Sequence, residues 1–128
     1  MTFSLRTALS LLLLSFSMAS FPSETKITVA FTTDVHGNFF PYDFITLAPG
    51  EGSLARVSTA VDSLRASNPG GVILLDNGDI LQGQPTVYYY NFIDTVSPHI
   101  VPEIFDFMGY DAATIGNHDV ETGHAVYD

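Results

Sequence analysis

Three short apolar runs, each broken off by a cluster of polar residues and spaced by stretches of helical character, constrain this chain more than any other feature. The first, Lys26 to Thr33, is rich in β-branched and aromatic residues, reads as a strand and ends at Asp34. From Ser53, a candidate N-cap, Leu54, Val57, Val61 and Leu64 recur at helical spacing until the stop Asn68-Pro69-Gly70-Gly71. Val72-Ile73-Leu74-Leu75 follows, a continuous apolar run that suits a strand covered on both faces, and it ends at Asp76-Asn77-Gly78-Asp79. A second helix is expected from near Pro102 to Met108, closed by Gly109, ahead of a third apolar run, Ala112 to Ile115. Strand, helix, strand, helix, strand is the pattern of an α/β fold with a mostly parallel sheet and helices on its faces. The aromatic run Tyr88 to Ile93 fits a helix or loop packing onto that sheet, because consecutive rings cannot all face one ligand.

At 128 residues the chain is long enough for one domain with a real core. Its net charge of -10, with only 4 Lys+Arg against 14 Asp+Glu, excludes the clustered cations that a nucleic-acid polymer requires. The acidity is compatible with a small phosphorylated molecule, since carboxylates can hold metal ions that supply the positive charge. Residues 1–19 read as a signal peptide: Arg6 precedes the apolar run Ala8 to Phe16, and the exit Ser17-Met18-Ala19-Ser20 is small. The run is too short to span a bilayer, so residues 20–128 are expected to be periplasmic or secreted, with no membrane anchor after cleavage.

In an open parallel sheet, ligands bind at the carboxyl ends of the strands, and here all three ends are polar. Asp34-Val35-His36-Gly37-Asn38 offers an oxygen and a nitrogen donor one residue apart, with Gly37 permitting a sharp turn. Gly78-Asp79-Ile80-Leu81-Gln82-Gly83 holds a carboxylate that could bridge two cations, while Asp76 reads as a structural acid. Gly116-Asn117-His118-Asp119 supplies an amide oxygen suited to a hard divalent ion and an imidazole poised for proton transfer, with Asp119 expected to orient it. Each cluster alone is equally compatible with an ordinary polar turn.

Taken in order, Asp34-Val35-His36-Gly37, Gly78-Asp79 with Gly83, and Gly116-Asn117-His118-Asp119 resemble the first three motifs of the calcineurin-like metallophosphoesterases. Ser53 to Arg56 and Met108 to Asp111 are similar to the secreted 5'-nucleotidase and 2',3'-cyclic-nucleotide phosphodiesterase branch. The resemblance implies the N-terminal part of a layered metallophosphoesterase fold in residues 20–128, belonging to a longer protein. It implies two divalent metal ions (Mn, Zn, Fe or Co), with Asp34 and His36 on the first, Asp79 bridging and Asn117 on the second. His118 would assist the leaving group with Asp119 as its partner, and Asn117 and His118 would contact the substrate, a nucleotide or related phosphate ester. The family draws further histidines from later strands, and His99 and His124 are expected to be capping or surface residues instead. The competing reading is a secreted metal- or anion-binding module without catalysis.

Overall fold

The computed structural model describes residues 24–127; the expected signal peptide lies outside the described residues. Strand β1 (Thr28–Thr32) pairs in parallel with β4 (Val72–Asp76), with Thr28 opposite Val72 and Thr32 opposite Asp76. On its other side β4 pairs in parallel with β5 (Ala112–Ala113), giving a sheet of order β1-β4-β5. The third apolar run is longer than its paired strand, and only the amide of Thr114 carries the ladder further, donating to the carbonyl of Asp76. A two-stranded antiparallel hairpin, β2 (Tyr42–Asp43) with β3 (Ala48–Pro49), lies between β1 and the first helix and has no counterpart in the sequence expectation.

Helix α1 (Leu54–Ser67) starts where its cap predicts: the Ser53 hydroxyl accepts from the amide of Arg56, satisfying one orphan donor of the first turn. It buries Leu54 and Val61 at helical spacing. The aromatic run belongs to α2 (Pro85–Phe92), whose proline sits in the first turn where no amide donor is lost. Its inward residues are Val87 and Asn91, while Tyr88, Tyr89 and Phe92 are exposed, so of the two alternatives the run is helical, and most of its rings do not pack onto the sheet. Helix α3 (Ile100–Met108) begins two residues ahead of Pro102 because His99 caps it, its Nδ1 accepting from the Val101 amide; it ends at Gly109 in the left-handed conformation that glycine adopts freely. Two short helices, α4 (Asn117–Glu121) and α5 (His124–Tyr127), complete the described chain.

The core joins Leu74 of β4 to Val61, Val87, Val101 and Met108 from the helices, with Ala30 of β1 packed against it. The register sets Ala30 beside Leu74 on this covered face and Val29 beside Ile73 on the opposite one. There Val29, Phe31 and Ile73 are exposed, so among the described residues the sheet is covered on one face. Asp76, the structural acid, is buried and accepts from the Thr32 hydroxyl and the Gly78 amide; burial holds its carboxyl above the usual range.

Candidate metal and phosphoester site

The polar clusters lie at the carboxyl end of the sheet because the parallel pairing runs on past the strands. The amide of Asn77 donates to Thr32, that of Asp34 to Gly78 and that of His36 to Asp79, so the first two loops lie side by side. Their backbone is unusual where donors are expected: Asp34, His36 and Asp79 have φ of 55°, 50° and 60°. Side-chain-bearing residues avoid this left-handed region, and they keep it where surrounding contacts enforce it, most often at functional sites.

Close packing of glycines supplies part of that enforcement. A Cβ on Gly78 would come within 2.4 Å of the Gly116 nitrogen, and one on Gly116 within 2.3 Å of Asp79 Oδ1. The β4 and β5 loops therefore touch backbone to backbone, which only glycine permits. Gly83 lies equally close to the His36 carbonyl, which in turn accepts from the Gln84 amide.

His36 Nδ1 is 2.9 Å from the carbonyl oxygen of Gln82. A carbonyl only accepts, so Nδ1 carries the proton and Nε2 is left as the ring's basic nitrogen, the arrangement that prepares a histidine for a metal. Asp79 is buried, and its Oδ1 accepts from the His118 amide at 2.8 Å. Asp34 and Asn117 are exposed, at the end of β1 and the start of α4. The His36 and His118 rings meet edge to face with centroids 5.4 Å apart.

The helix beginning at Asn117 separates the neighbours His118 and Asp119. Asp119 turns inward, fully buried, and its two oxygens accept four backbone amides, from Asp79, Ile80, Leu81 and Gly116. A carboxylate offers about four acceptor sites, so none remains for an imidazole. The expectation that Asp119 orients His118 is corrected accordingly. The partner is Glu121, one helical step on, with Oε2 3.1 Å from His118 Nδ1 and also accepting from Gln82 Nε2. That hydrogen bond, reinforced by the nearby charges of Glu121, Asp79 and Asp119, raises the His118 pKa above the ordinary imidazole value. The i, i+3 spacing of His118 and Glu121 was the available sequence signal, usable only once a helix was expected there.

Among the described residues, no group of three or more His, Asp or Glu side chains is arranged to hold a metal ion. The donor chemistry nevertheless fits one in kind: carboxylate, an imidazole whose Nδ1 is committed to a backbone carbonyl, and amide oxygen suit a divalent cation of the Mn, Zn, Fe or Co type. The set fits in part, and any closed coordination shell needs further donors. His99 and His124 are not among them: His99 caps α3, and exposed His124 lies against Tyr127. No helix among the described residues is long and apolar enough to cross a membrane.

Comparison with known proteins bears on the family and the fold. The family model for calcineurin-like phosphoesterase matches residues 27–127. The chain is 32% identical over 107 residues to the trifunctional nucleotide phosphoesterase protein YfkN of Bacillus subtilis, covering 78% of this chain and 7% of that protein. It is 32% identical to the 2',3'-cyclic-nucleotide 2'-phosphodiesterase/3'-nucleotidase of Haemophilus influenzae (91% of this chain, 19% of the relative). It is 30% identical to the 5'-nucleotidase of Bos taurus (77% and 17%). The crystal structure of calcineurin-like phosphoesterase YfkN aligns with a TM-score of 0.68 at 30% identity, over 78% of this chain and 32% of that one. The chain thus spans less than a quarter of the length of these curated relatives. With three ordered motifs at adjacent strand ends and a family match over nearly all described residues, the chain belongs to the calcineurin-like phosphoesterase family.

Proposed function

We propose that the protein hydrolyses phosphate esters of nucleotides with two divalent metal ions, in the periplasm or outside the cell. The observation that carries this reading is that Asp34, His36 and Asp79, each in left-handed backbone, lie on two neighbouring loops whose backbones are hydrogen-bonded to one another. Asp34 and His36 would hold one ion, Asp79 both and Asn117 the second. When bound there, divalent ions would supply Lewis-acid activation of water and neutralisation of phosphate charge. His36 contributes Nε2 because Nδ1 is committed to the Gln82 carbonyl. His118 would carry the proton chemistry: Nδ1 faces Glu121, which leaves Nε2 for the ester, and the hydrogen bond to Glu121 raises the imidazole pKa and so favours the protonated ring that can deliver a proton to the departing alkoxide. The nucleotide substrate class is supported by what the relatives' names state of those proteins.

The test is hydrolysis of AMP, 2',3'-cyclic AMP and a non-nucleotide phosphate monoester by the full-length protein, with manganese and after chelation. Turnover of at least one nucleotide that chelation abolishes and manganese restores is expected. Metal bound without turnover of any ester would identify a binding module instead.

A further inference from the structure

The buried carboxylate of Asp119 is left without a role once Glu121 is seen to partner His118. Its surroundings assign one. Oδ2 accepts from the amides of Asp79 at 2.7 Å and Gly116 at 2.9 Å, and Oδ1 from those of Ile80 at 2.9 Å and Leu81 at 2.7 Å. Three consecutive amides of the β4 loop thus close on one side chain from α4. The link runs in both directions, because the carboxylate of Asp79 accepts from the amide of His118, the residue before Asp119. Each loop donates an amide to the other's acid, and the pair forms a clasp between β4 and α4.

The residue inside that clasp most in need of support is Asp79. Its φ of 60° is unfavourable for a side-chain-bearing residue, and the β-branched Ile80 follows it directly. The Asp119 hydrogen bonds hold the amides on both sides of the Asp79 α-carbon, at residues 79 and 80, and so fix where its side chain leaves the backbone. We propose that Asp119 is a positioning residue that presets the Asp79 carboxylate for metal, acting on the ion through the backbone of Asp79 and not through His118. This rests on the reading of Asp79 as a metal ligand.

In Asp119→Asn an amide nitrogen replaces one oxygen, so two of the four backbone donors face a donor. Residues that orient metal ligands typically change affinity by about 10- to 100-fold when altered. Calorimetric titration of metal-free full-length protein with manganese alone should show a loss of that size for Asp119→Asn. Turnover of a chromogenic phosphate ester should recover toward wild type at saturating manganese. Asp119→Glu, which keeps both acceptor oxygens, should bind manganese more tightly than Asp119→Asn. Wild-type affinity in Asp119→Asn, or a turnover defect that excess manganese does not relieve, would overturn the proposal. Amide hydrogen exchange on the metal-free wild type gives a check that needs no variant: the amides of residues 79, 80, 81 and 116 should exchange slowly, and rapid exchange at all four would equally overturn it. Asp79→Asn separates the two levels. If it loses manganese while Asp119→Asn does not, only the positioning role fails; if neither it nor wild type differs in binding, the metal reading beneath it fails.

Discussion

Asp79 combines a left-handed backbone, a buried carboxylate and a glycine neighbour within contact distance, and that crowding makes its geometry sensitive to single atoms. Gly116→Ala would set a methyl 2.3 Å from Asp79 Oδ1. Urea denaturation should show a stability loss of about 1–3 kcal/mol, the usual cost of overpacking, together with weakened manganese binding. His118→Asn makes a different prediction, because the ring is paired with Glu121 and is not among the proposed ligands. Elemental analysis should find metal content near wild type while turnover falls by about 10² to 10⁴, the range for a positioned proton donor. The residues proposed as donors could be picked out in the sequence because they are polar residues of ligating type at strand ends. The division of labour within Asn117-His118-Asp119 was not, since neighbours in sequence diverge by about 100° once a helix begins at Asn117.

Among the elements, α1, β1 and β4 were readable because an amphipathic period or a β-branched run has one cheap interpretation. The hairpin of β2 and β3 was invisible: two paired residues a side, one of them Pro49, carry no alternation to detect. The identity of α2 was ambiguous for the same reason, as its exposed aromatics erase the period and its inward position 91 is polar. Asn91 earns burial by donating to the Leu81 carbonyl at 2.6 Å and accepting from His99 Nε2 at 2.9 Å, while His99 Nδ1 accepts from Val101. This chain joins α2 and the start of α3 to the end of the β4 loop, and it requires neutral His99 protonated at Nε2. Burial lowers the His99 pKa below its ordinary value, so between the two values the unfolded chain binds more protons than the folded one. The resulting stability is fully present above about pH 7 and declines as pH falls through the folded-state value. Denaturation at pH values between about 7.5 and 5 should show His99→Gln less stable than wild type at the upper end, with a shallower loss on acidification. A steeper loss in the variant would contradict this assignment.

At the scale of the whole molecule, the sheet has one covered face and one bearing exposed Val29, Phe31 and Ile73, whereas parallel sheets are ordinarily covered on both. The same chain supplies part of a donor set and no closed cluster among its described residues. The alternation of elements made the layer plan legible, but no local pattern reveals which face stays uncovered, because that depends on segments distant in sequence. Both observations predict that the 128-residue chain alone binds manganese weakly and shows no sustained ester turnover. Tight binding of two ions per chain with steady hydrolysis would show that further donors are unnecessary. The central claim is that the ends of β1 and β4 and the start of α4 build a metal site. Its most direct test is an anomalous difference map at the zinc edge from crystals of the full-length protein grown with zinc. The account predicts density about 2.0–2.2 Å from His36 Nε2 and from carboxylate oxygens of Asp34 and Asp79, with Asn117 on a second peak. Zinc bound only at other residues, with this site vacant, would contradict it.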